Sequence, residues 1–336
     1  MNLKTIAEKA GVSTATVSNV INGNYHKVSE DTRKRVEKII EDHDYQPNAV
    51  AKSLASKESR IIGLVIPNVD EEENFFANPY DVEVVALLEN YIRRQGYYMM
   101  LRCVKQCRES IPLFSSWNVD GMIFLGTFKS EVEDIKKDLK VPAVFFDTYP
   151  EEIPIANVGI DDYRAGYLSA KYLLDKGHKN IGFIGPSPDQ PGVIQARYYG
   201  FLKACQERNI VVPTENVFEV DTLFREGIAL GKKIAEDPHG ITALSVMSDT
   251  VAIGVLEGLR KNGLHVPNDI SVIGFDNLKE GRVAHPQLTS ISQHPEEKVQ
   301  KAGDILFQMI REKNEIVINE TVDVEIIERH SVKSIA

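Results

Sequence analysis

A small all-α head followed by an α/β body of two doubly wound parallel-sheet lobes is the architecture predicted for this chain, and three observations predict it. Two short helical patterns meet at a glycine inside the first 23 residues. From residue 60 onward, apolar runs of four to six residues alternate with amphipathic stretches that end in glycine. Charge is divided unevenly: the first 60 residues carry ten Lys/Arg and eight Asp/Glu, and the remainder carries 29 and 41, for a total of 39 against 49 and a net charge of -10. At 336 residues, 43% hydrophobic and 26% charged, the chain has the composition of an ordinary folded protein of roughly two domains. Disordered, collagenous and coiled-coil classes are excluded.

The head is justified element by element. Asn2 caps a helix over residues 3 to 10, where Leu3, Ile6, Ala7 and Ala10 share one face. Gly11 ends it, and Ser13 caps a second helix whose apolar stripe is Val17, Val20 and Ile21 and which stops near Asn22-Gly23. A third helix is capped by Ser29, opens with Glu30 and Asp31 at its positive end, and turns Val36, Ile39 and Ile40 inward. Two short helices on a glycine turn match the helix-turn-helix, in which the second helix enters the DNA major groove. Off the apolar stripe that helix offers Thr14, Ala15, Thr16, Ser18 and Asn19, with no acid among them. Small polar side chains of this kind reach base edges, and asparagine pairs with adenine.

The body follows from strands at Ile61 to Ile66, Tyr97 to Leu101, Met122 to Leu125, Ala143 to Phe146, Ile181 to Ile184, Ala243 to Val246 and Ile270 to Phe275. About ten βαβ-type units exceed one comfortable sheet, so two lobes with a ligand cleft between them are expected. In the tail, Leu288-Thr289-Ser290-Ile291 and a helix near 296 to 312 are assigned to lobe one, and Val322 to Ile327 to an edge strand of lobe two. The resulting divisions are a head over 1–46, a hinge or linker over 47–59, and a core over 60–336. Within the core, lobe one is 60–158 with 291–320, and lobe two is 159–290 with 321–334.

Thr5-Ile6-Ala7, Ala10-Gly11-Val12-Ser13, Thr16-Val17-Ser18, Asn22-Gly23, Tyr45-Gln46-Pro47-Asn48 and Ala51-Lys52-Ser53-Leu54 together resemble the head of the lactose-repressor (LacI/GalR) family. Val158-Gly159-Ile160-Asp161-Asp162, Gly177-His178-Lys179-Asn180-Ile181, Ser248-Asp249, Val266-Pro267 with Ile273-Gly274-Phe275-Asp276, and Glu325 to Ser331 resemble that family's effector core, which is similar to periplasmic sugar-binding proteins. The resemblance implies a homodimeric repressor in which 47–59 forms a hinge helix on DNA, with Asn48 as its cap, Ala51 and Lys52 at the backbone, and Leu54 as a wedge in the minor groove. It also implies effector contact by Asp147, Arg197, Ser248 and Asp276, closed by Phe75 and Phe76. Asp147, Asp249 and Asp276 independently follow strand ends, where a cleft would be lined, and Asp249 is read as a helix cap.

Four departures from the family pattern bear on specificity. Asn19 stands where relatives often have arginine, which shifts the expected preference toward adenine. Lys52 replaces a frequent arginine, a weaker minor-groove contact. Thr222 follows Asp221 where an aromatic plate is common, and Asp70-Glu71-Glu72-Glu73 alters the approach to lobe one. The effector class expected is a sugar or sugar derivative, and a phosphorylated one would need more than one base in the cleft.

Other classes find little support. Gly227-Ile228-Ala229-Leu230-Gly231-Lys232-Lys233 lacks phosphate-loop spacing, Ser187 lacks the second glycine of a nucleophile elbow, and no metalloprotease motif occurs among eight scattered histidines. No enzyme, metal or cofactor is therefore expected. Cys103, Cys107 and Cys205 have no C-x-x-C spacing and read as plain thiols. No apolar run approaches about 18 residues and the amino end is charged, so no membrane association and a cytoplasmic location are expected. Two alternatives stand beside the regulator: a cytosolic carbohydrate-binding protein without operator specificity, and a regulator governed by a protein co-repressor.

Overall fold

The computed structural model describes residues 1–21, 23–45, 58–67, 78–150, 152–189 and 191–335. They form two compact units, Met1–Ser59 and Arg60–Ala336. Asn48, Ala51, Lys52, Leu54, Phe75 and Phe76 lie outside the described residues, as does most of the expected hinge.

In the first unit, α1 (Leu3–Ala10) starts where the Asn2 side chain accepts the Thr5 N–H at 2.9 Å. It ends at Gly11, whose φ of +63° is left-handed and disfavours any side chain. The Ser13 hydroxyl accepts the Thr16 N–H at 3.1 Å at the start of α2 (Thr14–Ile21). The Ser29 hydroxyl accepts from Thr32 at 3.4 Å at the start of α3 (Glu30–Asp42). Ile6, Ala7, Ala10, Val17, Val20 and Val36 make one buried core. Each larger aliphatic there contributes about 1.5–3 kcal/mol by leaving water.

The second unit runs β1 (Ile61–Pro67), α4 (Pro79–Arg94), β2 (Tyr98–Val104), α5 (Ile111–Ser116), β3 (Gly121–Leu125), α6 (Lys129–Asp138), β4 (Ala143–Phe146) and β5 (Ala156–Ile160). It continues with α7 (Asp162–Asp175), β6 (Ile181–Gly185), α8 (Val193–Glu207), β7 (Val217–Glu219), α9 (Phe224–Glu236), β8 (Ala243–Val246), α10 (Asp249–Lys261), β9 (Ser271–Phe275) and α11 (Lys279–Val283). It closes with β10 (Thr289–Ser292), α12 (Pro295–Glu312), β11 (Ile318–Val322) and β12 (Glu325–Ile327). One sheet has the order β11-β5-β4-β3-β1-β2 and the other β12-β10-β9-β8-β6-β7. All pairings are parallel except that of β10 with β12. Each sheet reverses its winding once, between β1 and β3 and between β6 and β8, and ligands favour the carboxyl-end crevice at such reversals.

The tail departs from expectation in two places. The run Leu288 to Ile291, expected in lobe one, lies instead with the second sheet, where Thr289–Ile291 pair parallel to β9, because α11 is a short crossover that returns the chain beside the strand it left. Val322 does not belong with Ile327: it closes β11, which pairs with β5 in the first sheet with Val322 opposite Ile160, and only Glu325–Ile327 edges the second sheet. The chain thus passes between lobes three times, after Ile160, after Ser292 and after Val322.

Helices α7 and α8 cross where neither has a side chain. A Cβ at Gly166 would stand 1.9 Å from the Arg197 carbonyl oxygen, and one at Gly200 would stand 1.8 Å from that of Tyr163. Gly166→Ala should therefore destabilise the protein by about 3 kcal/mol in urea unfolding, through overpacking. Gly192→Ala, where a Cβ meets nothing within 4 Å, should be close to neutral.

Candidate functional site

Two surfaces carry the residues singled out by sequence. On the head, α2 holds Val17 and Val20 inward, leaving Thr14 and Ala15 exposed and Thr16, Ser18 and Asn19 half-buried. The helix has neither acid nor base, so its outer face can approach a polyanion without like-charge repulsion.

In the body, strand ends deliver carboxylates. Asp147 follows β4 at φ +50°, Asp276 follows β9 at φ +107°, and Asp162 opens α7 two residues after β5. Arg197 of α8 is buried, and its Nε donates to Asp162 Oδ1 at 2.8 Å while its guanidinium lies 3.8 Å from the centre of the Phe275 ring. The crossing at Gly166 and Gly200 makes this pair possible, since Asp162 and Arg197 sit one turn before each glycine.

A second buried cation was not foreseen. Lys298 of α12 has 0% exposure, and its Nζ donates to both carboxylate oxygens of Asp147 at 2.6 and 2.8 Å and to the Tyr80 hydroxyl at 3.1 Å. Tyr80 donates to Gln293 Oε1 at 3.3 Å, and Gln293 Nε2 donates to Asp276 Oδ1 at 2.6 Å. Gln293 lies in the crossover after β10, so a continuous polar chain runs from Asp147 in one lobe to Asp276 in the other. The sequence signal was the place of Lys298 on the stripe it shares with Ala302 and Leu306.

Asp249 does not cap its helix. Its carboxylate accepts the Leu278 N–H and the Ser290 hydroxyl, both at 2.7 Å, and so pins the loop that presents Asp276. Ser248 stands at the N-cap position of α10 without making a cap bond, and its buried hydroxyl has no hydrogen-bond partner. Asp162 Oδ2 is likewise buried and unpartnered. Among the described residues no His/Cys/Asp/Glu group could hold a metal ion, and no helix is long and apolar enough to cross a membrane.

Burial dominates the electrostatics. It pushes Asp276 up to about 7, against the pull of Arg197 and the Gln293 hydrogen bond, and Asp81 up to about 6, against a hydrogen bond from Asn78. Asp162 is also raised, because burial outweighs Arg197. Burial works against the charge of Lys298, yet Asp147 and Tyr80 together outweigh it and the ammonium is held above its ordinary value.

Two outcomes are expected. Lys298→Met should cost about 3–5 kcal/mol by leaving Asp147 without its cation, and Lys298→Met with Asp147→Asn should recover most of that in the same denaturant titration. Carboxyls that hold protons more tightly folded than unfolded stabilise most below their unfolded value, near 4, and lose that contribution as pH rises through the folded value. Melting temperature should accordingly decline between about pH 5 and 7.5, and Asp276→Asn should flatten the decline.

Comparison with known proteins agrees with this arrangement. The profile described as bacterial regulatory proteins, lacI family, matches residues 2–48, and that of a periplasmic binding protein-like domain matches 170–332. Catabolite control protein A of Priestia megaterium is 33% identical over 329 residues, 96% of this chain and 94% of that one. The HTH-type transcriptional repressor PurR of Mannheimia succiniciproducens is 32% identical over 99% of both chains. The crystal structure of the Lac repressor dimer bound to operator and the anti-inducer ONPF aligns at TM-score 0.87 and 26% identity over 99% of both. A three-helix head with a polar outer face, a two-lobed body, and full-length identity above 30% to a catabolite control protein and a transcriptional repressor place the chain in the lacI family, as a DNA-binding transcriptional regulator with an effector-binding body.

Proposed function

We propose that this protein is a cytoplasmic repressor that binds a near-palindromic operator as a homodimer and is released by a sugar or sugar derivative bound between its lobes. The observation that carries the DNA half is the acid-free face of α2, with Thr14, Ala15, Thr16, Ser18 and Asn19 set outside a buried three-helix core. These residues read base edges in the major groove. Leu54 is the minor-groove wedge of a hinge helix capped by Asn48, with Lys52 at the DNA backbone and Ala51 beside it, roles supported by their sequence pattern alone. Dimerisation is supported by the likeness to an operator-bound repressor dimer.

The effector half rests on Asp147, Arg197, Ser248 and Asp276, with Phe75 and Phe76 assigned to the same site by sequence. A ligand that engages Asp276 competes with Gln293, which bridges the lobes in the crossover. Its unequal affinity for the two lobe arrangements is the source of coupling, and such couplings run about 1–3 kcal/mol.

The test is selection of the full chain on random duplexes, followed by titration against salt. The recovered site should be near-palindromic, and log affinity should fall against log salt with a slope of about -5 to -9, from about six to ten phosphate contacts per dimer. Asn19→Ala should cost about 1–3 kcal/mol and relax preference at one base pair of each half-site. Leu54→Ala should weaken specific binding while the melting temperature stays unchanged. Equal affinity for selected and random duplexes would sink the proposal.

A further inference from the structure

We propose that the ligand of the cleft is an amine-bearing polyol, of the amino-sugar class, and not a sugar phosphate or a sugar acid. This rests on the reading of the cleft as the effector site and adds the charge of what it takes. Both buried cations are already matched: Arg197 by Asp162 at 2.8 Å, and Lys298 by Asp147 at 2.6 Å. Two further carboxylates, Asp276 and Asp81, belong to the same electrostatic group and have no cation of their own within ion-pair distance among the described residues. Their side-chain hydrogen bonds come from neutral amides, Gln293 to Asp276 and Asn78 to Asp81.

The surplus is therefore one of acceptors, and of negative charge to the extent that Asp276 and Asp81 ionise, which a bound cation favours. Asp162 Oδ2 is buried with nothing donating to it, and the buried Ser248 hydroxyl is free to donate or accept. An incoming phosphate or carboxylate would meet cations already neutralised and carboxylates that repel it, where attraction and repulsion are both strengthened by exclusion of water. An ammonium brings one positive charge and three donors, the complement of what stands there, and neighbouring hydroxyls suit the Asp and Arg groups around it. Asp276, just after β9, and Asp162, at the start of α7, are the groups assigned to the ammonium.

The experiment uses matched triads near neutral pH: glucose, glucosamine and glucose 6-phosphate, then galactose, galactosamine and galactose 6-phosphate. Thermal unfolding and calorimetric titration are run on the full chain and on Asp276→Asn and Ser248→Ala. The expected result is that the amine gives the largest rise in melting temperature in at least one triad, binds about tenfold more tightly than its neutral and phosphorylated counterparts, and loses that advantage in Asp276→Asn. Ser248→Ala removes a hydroxyl that has no partner and leaves the ion pairs intact, so it reports on the same site if Asp276→Asn fails to fold. A neutral or phosphorylated sugar that binds most tightly, and is weakened by Ser248→Ala, overturns the charge inference and leaves the cleft as the effector site. Ligand effects identical in both variants, or no effect from any sugar, remove the effector-site reading and this inference with it.

Discussion

A lysine ammonium with 0% exposure is the constraint on which the body is arranged. Moving such a charge out of water costs several kcal/mol even after relaxation, and it persists only where partners are fixed in advance. Asp147 supplies both carboxylate oxygens from the end of β4, Tyr80 a hydroxyl from α4, and Gln293 a carbonyl from the crossover. Three separately folded pieces of the chain must converge on one atom. The left-handed backbone at Asp147 is part of that convergence, since it turns the residue out of the strand direction just where the sheet ends. Arg197 is solved similarly, through two glycines that let helices touch at the backbone.

This buried polar cluster is consequently polarised unevenly. Its cations are satisfied within the protein, and its carboxylates only partly so, which leaves Asp276 and Asp81 at a free-energy disadvantage when ionised. Proteins commonly tolerate such disadvantage where binding relieves it, and the cost appears as stability forgone in the unliganded fold. Asp249, by contrast, is fully engaged and serves the site indirectly by holding the loop that carries Asp276.

Sequence reading succeeded where a local rule has a local cause. Asn2, Ser13 and Ser29 were legible as caps because a short polar side chain before an apolar stripe has few other uses, and the buried strands were legible as unbroken apolar runs. It failed where the answer is set by distant partners. The run around Thr289 announces a strand but carries nothing that says which sheet it joins. β5 was weak as a strand signal because Asn157 and Gly159 interrupt it, although Asn157 uses its side chain to bond Thr148 and Asn319. Lys298 reads as a solvated residue because a lysine defaults to solvent. Asp162 stands in a recognisable motif that does not announce its partner, because only the helix crossing brings Arg197 to it.

The three passages between the lobes lie after Ile160, Ser292 and Val322, at the ends of β5, β10 and β11. Three covalent tethers, each at the end of a strand, hold the halves together. Gln293 stands at the second of these passages, where its amide bonds Asp276 on one side and Tyr80 on the other, so the shortest polar route between the two halves runs along a tether.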